Sequence, residues 1–410
     1  MRFVKETPAG IRQANRMSVL HLIKEYGPMS RARVARVLKM SRSTVSAIVD
    51  ELIQEGRIRE GANGQSTAQG GRPPQYLHYV PDAKFALGVD IGGTNTIVVL
   101  TDLAGHVVAR EKFPTRAGDE HPLAAILERV KAFLARTGVA REKLLGTGIG
   151  FPGVTDTARG VVLNSPSLGL VDFDAVQFFD PLPGPVFIDN DVNMGVIGER
   201  WLGAAQGLQN VVLVAIGTGI GAGLILNGEV YRGAGGSAGE IGHLHVDPLL
   251  ADRRRTLHEF GPLESAASGL GMEQVALTMR AAVEEHPRRM TAEELFAAAK
   301  AGDVIAQQVI GRAILFLSFS IANMITLLNP DLVLLGGGVA QAGSALLEPV
   351  RAHVARLSPV SCPIELAGLG EDSAALGAAA TVFLAADELR WTGRKERAGL
   401  MRECEGGDGR

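Results

Sequence analysis

The sequence predicts an α/β body of two facing lobes behind a small α+β head. Three observations carry that expectation. A strand, a glycine turn and a second strand occur at "FALGVDIGGTNTIVVL" (85–100), and the theme returns at "NVVLVAIGTGIGAGLILNGEVY" (210–231). The first eighty residues read instead as three short helices followed by two strands. Charge divides at the same place: residues 1–80 hold 13 basic and 6 acidic side chains, and the remainder holds 28 and 38. A basic head on an acidic body implies that the head alone meets a polyanion.

In the head, a helix is expected from about Arg12 to Tyr26, stopped by Gly27 and Pro28. Ser30 can cap a second helix, "RARVARVL", with Val34, Val37 and Leu38 on its apolar face. Ser41 can cap a third, whose Val45, Ile48, Val49, Leu52 and Ile53 follow the i, i+3, i+4, i+7, i+8 pattern of a half-buried helix. Two helices joined by a tight turn are a helix-turn-helix, and the second would enter the major groove. With its apolar stripe buried, Arg42, Ser43, Thr44, Ser46 and Ala47 stay near the exposed N-terminal half; arginine can read guanine, and hydroxyls suit phosphates or bases. "RIRE", the loop "GANGQSTAQGGRPP" and "QYLHYV" then form a wing. Arg72 in "GGRPP" can reach a minor groove, because glycine allows close approach and proline stiffens the loop. The competing reading is a three-helix module that binds protein. The wing, the local charge and the serine-rich face favour DNA.

The body, from residue 81, opens with strand "FALGVDI" and two more strands in "TIVVLTDLAGHVVARE", turning at Ala104–Gly105. A helix near Leu123–Arg136 and strand "LLGTGIG" follow. Two glycine turns, each after a strand, can cradle phosphates with backbone N–H groups, Gly92, Gly93 and Thr94 in one and Gly217, Thr218, Gly219 and Gly221 in the other, and a third, Gly336, Gly337 and Gly338, could accept a nucleoside. Asp90 could hold Mg²⁺ through water. Strand "PVFI" ends at Asp189 and a helix starts near Asp191. That aspartate could accept a proton from a hydroxyl, or could simply cap the helix; spacing alone favours the cap.

No signal-peptide core is expected in "MRFVKETPAGIRQANRM". The longest uncharged run, Ala313–Pro330, falls short of the roughly 20 residues of a spanning helix and reads as a buried core helix, so no membrane contact is expected. Cys362 and Cys404 give no disulfide framework, which fits a reducing cytoplasm.

The set "NRMSVLHLIKEYGPMSRARVARVLKMSRSTVS", "GGRP", "GVDIGGTN", "GIGFPG", "FIDNDVN", "GTGIGAG", "GSAGEIGH" and "GGG" resembles the ROK proteins: repressors, open reading frames and kinases. The likeness runs from Ile11 to about Ala386. It implies a duplicated, two-lobed actin-like (sugar-kinase, ribonuclease H-like) fold behind a winged helix-turn-helix. The implied domains are a head at 1–80, a first lobe at 81–190, and a second at 191–390 whose last helix returns to the first. The tail 391–410 would be disordered. The resemblance gives Asp191 the place of the kinases' base. It gives Gly153, Asn190, Glu240, His243 and Glu264 sugar-contacting places, and the three glycine turns the ATP site.

Two departures stand out. "PSLGL" puts Ser167 where the family often has a sugar-binding asparagine and Leu170 where it has tryptophan. After "GEIGH" the family carries a cysteine-rich zinc loop, whereas "LHVDPLLADRRRTLHEFGPLE" has no cysteine. His243 keeps the first ligand place, and Arg255, Leu257 and Pro262 stand at the others, so no zinc is expected. Asp252, His245 and His258 are the alternative ligands there. The leading expectation is a sugar-responsive transcriptional regulator, a repressor, acting as a homodimer or homotetramer on operator DNA. An ATP- and Mg²⁺-dependent sugar kinase that also binds DNA is the alternative. A DNA-binding protein whose body only oligomerises is the third.

Overall fold

Two serines begin the helices of the head. Ser30 Oγ accepts the N–H of Arg33 at 3.3 Å, and Ser41 Oγ accepts that of Thr44 at 3.1 Å. Each cap satisfies a backbone donor that the first turn leaves without a helical partner. The computed structural model describes residues 8–63, 75–116, 122–246 and 259–389. Its described residues fall into two units. One comprises those up to Phe85, with Asp102–His106 and those from Phe383 onward. The other comprises Ala86–Thr101 and Val107–Val382.

The first unit runs α1 (Pro8–Tyr26), β1 (Met29–Ser30), α2 (Arg31–Val37), α3 (Arg42–Gln54), β2 (Ile58–Asn63) and β3 (Gln75–Tyr79), with sheet order β1-β3-β2. Helix α1 starts four residues before the expected Arg12. Pro8 suits a first helical position, where its missing N–H costs nothing. Strand β1 escaped the sequence reading because two residues have no period. Val19, Leu20, Ile23, Val34, Val37, Val45, Ile48, Val49 and Leu52 form the buried core, while Leu38 and Ile53 are only partly buried. Lys24 Nζ donates to Leu103 O at 2.7 Å, and the buried Arg57 is in ion-pair contact with Glu388.

The second unit repeats one topology. The first half has β4 (Phe85–Ile91), β5 (Asn95–Asp102), β6 (Val107–Pro114), α4 (Pro122–Thr137) and β7 (Leu144–Phe151). A small antiparallel sheet follows, made of β8 (Val154–Asp156), β9 (Val161–Ser165) and β10 (Leu170–Asp174). Then come α5 (Ala175–Phe179), β11 (Val186–Asn190) and α6 (Asp191–Trp201). The second half has β12 (Val211–Ile216), β13 (Ile220–Leu226), β14 (Glu229–Val230), α7 (Pro262–Ala267), α8 (Gly269–Ala281), α9 (Ala292–Lys300) and α10 (Val304–Leu328). It closes with β15 (Leu332–Gly336), α11 (Ser344–Leu357), β16 (Ile364–Leu366) and α12 (Ser373–Ala385). The two five-stranded sheets read β6-β5-β4-β7-β11 and β14-β13-β12-β15-β16. Three consecutive strands and two later ones thus occupy matching places in each.

Glycines set how closely the last helix approaches. A Cβ at Gly88 would lie 2.0 Å from Ala375 O, and one at Gly148 would lie 2.0 Å from Ala378 O. Helix α12 therefore rests directly on β4 and β7. Helix α10 corrects one expectation: the run from Ala313 belongs to a 25-residue helix, long enough and apolar enough to cross a membrane. Two-thirds of its most apolar window is buried inside the protein, which is the core-helix role the sequence implied.

Candidate functional site

The turn from β11 into α6 places Asp189, Asn190 and Asp191 in succession. Asn190 is the N-cap: its Oδ1 accepts the N–H groups of Val192 at 2.9 Å and Asn193 at 3.0 Å. The cap role favoured for Asp191 therefore belongs to its neighbour. The reason is geometric, since Asp191 is already the first helical residue, and its Oδ1 reaches only the adjacent Val192 N–H at 2.9 Å. Asn190 Nδ2 donates to Gly153 O at 2.9 Å. Gly153 has φ of 99° and no room for a side chain, because a Cβ would lie 2.2 Å from Asn164 O. These two residues lock one side of the site.

The other side comes from the second half of the unit. Gly239 holds Glu240 in place: its carbonyl accepts Ala222 N–H at 2.7 Å, and a Cβ there would strike Ala222 O at 1.9 Å. His243 closes the same short 3₁₀ turn. Glu264 lies in the first turn of α7 and accepts Ile220 N–H on Oε1 at 3.1 Å. It is thereby tied to the second glycine turn as well as facing the cluster.

These groups also act on one another through their charges. Burial raises Asp90 well above the ordinary carboxylate range, and the charge of Asp191 adds to it. Burial raises Asp191 to about 7, partly offset by the Val192 N–H, with Glu240 and Asp189 pushing further up. Burial raises Glu240 to about 6, helped by Glu264. Glu264 is raised by burial and held back by the Ile220 and Gly261 N–H groups and by His243. Asp90, Asp191, Glu240, Glu264 and His243 thus form a ladder in which each group feels the next. Such a set offers directional partners to hydroxyls, and a carboxylate near pH 7 can take a proton from one.

The glycine turns keep their expected places. Gly92 N–H bonds Asn95 O at 3.0 Å, leaving Thr94 exposed at the tip. Gly217 N–H bonds Gly219 O at 2.9 Å. A Cβ on Gly337 would lie 2.5 Å from Ile216 O, so the third turn abuts the second. Ser167 goes to the first turn: it is exposed, and the Cβ position of Gly93 is 3.5 Å from its own Cβ. Its carbonyl accepts Arg116 Nη2 at 2.8 Å.

Three participants were missed by sequence reasoning. Gly269 opens α8 against Gly217 O at 2.8 Å. Thr115 Oγ1 donates to Gly92 O at 2.7 Å. Arg232 pairs with Asp189 at 2.5 and 2.8 Å. Only a glycine or arginine beside a motif hinted at them. Among the described residues no group of three or more His, Cys, Asp or Glu could hold a metal ion. Asp252, Arg255, Leu257 and His258 lie outside the described residues.

In the head, Arg42, Ser43 and Thr44 are exposed and Ser46 is partly buried along the start of α3. The Ser43 and Thr44 hydroxyls lie 2.9 and 2.8 Å from Ser41 Oγ, so the cap shares them. Arg72 lies outside the described residues.

A putative xylose repressor of Caldicellulosiruptor sp. is 31% identical over 387 residues, covering 91% of this chain and 96% of that protein. A glucokinase of Halalkalibacterium halodurans is 32% identical over 315 residues, covering 72% of this chain and 93% of that one. Among solved structures, a ROK family transcriptional regulator, a homologue of the E. coli MLC protein, superposes with a TM-score of 0.76 at 27% identity. That match covers 97% of this chain and all of the other. The MarR family model matches residues 13–61. The ROK family model matches residues 86–384, and with a repressor and a kinase among its relatives the chain belongs to the ROK family.

Proposed function

We propose that this protein is a sugar-responsive transcriptional repressor. The carrying observation is the pairing, in one chain, of an exposed Arg42 face on a capped helix with a buried carboxylate ladder. The head binds operator DNA as a dimer on a two-fold site. Arg42 reads bases, Ser43, Thr44 and Ser46 contact the backbone, and Arg72 enters the minor groove. A sugar or sugar derivative is held by Gly153, Asn190, Asp191, Glu240, His243 and Glu264, with Ser167 at the rim. The xylose and glucose named for these relatives, and the N-acetylglucosamine named for a repressor of Escherichia coli that is 28% identical over 353 residues, are the first sugars to try. Fluorescence anisotropy with the DNA upstream of its own gene, repeated with each sugar, tests this. No sugar-dependent change, and no preference over random DNA, would end the reading.

Two observations support a second activity, ATP-dependent phosphorylation of the sugar. Asp191, raised to about 7, can exchange a proton at neutral pH. Asp90 Oδ1 is buried with no hydrogen-bond partner, which fits a Mg²⁺–water shell. Gly92, Gly93, Thr94, Gly217, Thr218, Gly219, Gly221 and Gly336–Gly338 would hold the nucleotide, and Mg²⁺ would neutralise phosphate charge. Asp191 would take the hydroxyl proton while Asn190 keeps its helix and strand in register. A coupled ADP assay with the same sugars tests this, and turnover no faster than an Asp191→Asn control would exclude it.

A further inference from the structure

The two walls of the carboxylate cluster come from stretches far apart in the chain, and one ion pair joins them. Asp189, 1% exposed, ends β11 immediately before Asn190 and Asp191. Its Oδ2 accepts Arg232 Nε at 2.8 Å and Nη2 at 2.5 Å. Its Oδ1 accepts Asn190 N–H at 2.8 Å and Asn193 Nδ2 at 3.0 Å. All four bonds bear on one carboxylate, and two of them bind it to the residues that start α6.

Arg232 opens the loop that ends at Glu240. Its carbonyl accepts Ala238 N–H at 3.2 Å, so the loop folds back on it. Gly236, at φ of 76°, sits where a Cβ would lie 2.3 Å from Thr155 O of β8, and Gly239 is pressed on Ala222. The loop thus has three fixed points: Asp189, β8 and β13. Glu240 follows the last of them.

We propose that Arg232 is a positioning residue. Acting through Asp189, it fixes Asn190 and Asp191 on one wall at a set offset from Glu240 on the other, so a ligand meets both walls preassembled. The inference deepens the sugar-site reading given above and rests on it. The physical reason is asymmetry of burial. The guanidinium is one-third exposed and the carboxylate is not, so loss of the arginine leaves a buried charge with only its two local donors. The carboxylate then relaxes toward water and carries the α6 start with it, while the loop loses its first anchor. A preorganised site loses affinity when its halves move independently.

The test uses the full chain with Arg232→Gln, Arg232→Lys and the double variant Asp189→Asn/Arg232→Gln. Backbone amide exchange is followed without any ligand. In Arg232→Gln, exchange should rise together at 190–193 and at 238–243, on the order of 10- to 100-fold, with β12 amides unchanged. Lysine should restore part of the protection, and the double variant, with no unpaired charge, should protect 190–193 but not 238–243. A rise confined to the loop around Arg232, or spread evenly over the chain, overturns the proposal. Calorimetry with D-xylose, D-glucose and N-acetyl-D-glucosamine then judges the sugar reading separately. If the native protein binds one, Arg232→Gln should weaken it by a similar factor. If it binds none, the sugar reading fails while the exchange data still decide the role of Arg232.

Discussion

Glu264 accepts the Ile220 backbone N–H at 3.1 Å, so the carboxylate that faces the ligand cluster also fastens the end of the second glycine turn. A Cβ on Gly219 would lie 2.1 Å from the same Oε1, so a side chain there would push the carboxylate off Ile220. One side chain thus joins the carboxylate cluster to the second glycine turn, the proposed sugar and nucleotide places.

Glu264→Gln and Glu264→Ala together test that link. The amide oxygen can still accept from Ile220, so the fold should hold, with a loss of about 1–3 kcal/mol at most. In Glu264→Gln sugar affinity should fall while any coupling between sugar and nucleotide persists, because the Ile220 bond is kept; in Glu264→Ala, which removes that bond, any nucleotide affinity should become independent of sugar. Calorimetric titrations in both orders measure this. Nucleotide binding still coupled to sugar in Glu264→Ala would show that Glu264 is not the joint.

The ladder predicts an unusual pH dependence. Asp191 and Glu240 have folded-state pKa values raised above their ordinary ones, to about 7 and about 6. The folded state therefore binds more protons than the unfolded state between about pH 4 and pH 7. Their contribution is fully present below the unfolded values and is lost as pH rises through the folded ones. Asp191→Asn should then raise the ligand-free Tm at pH 8 by about 2–4 °C and have little effect at pH 4. An Asp191→Asn chain that melts lower at pH 8 would refute the burial argument.

Arg42 should carry specificity rather than bulk affinity. Arg42→Ala should cost about 1–3 kcal/mol at the cognate site and relax base preference, with a small change on random DNA. Competition binding against random duplex measures both. Equal losses would make Arg42 a phosphate contact.

Much of this was readable in advance. Ser30 and Ser41 as caps, the three glycine turns, and the strand ending before Asp191 are local features, and local chemistry fixes them. The small sheet β8–β10 was not legible, because strands of three to five residues show little alternation. Nor was the Arg232–Asp189 pair, separated by 43 residues and dependent on the tertiary path. Helix α12, whose return to the first half only the resemblance implied, left a trace at Gly88 and Gly148. A glycine inside a buried strand marks a close backbone approach, and here Ala375 and Ala378 make it.

In the proposed function a sugar in the carboxylate ladder controls the head. The most direct measurement is affinity for the DNA upstream of its own gene, with and without a sugar that calorimetry shows to bind, for the native chain and for Glu240→Gln. A coupling of about 1–3 kcal/mol, a 5- to 150-fold change, is expected in the native chain, with the DNA changing sugar affinity by the same factor. Glu240→Gln should show no response, with sugar-free DNA binding retained. Unchanged DNA affinity at saturating sugar, or Glu240→Gln that binds DNA weakly without any sugar, would contradict that control.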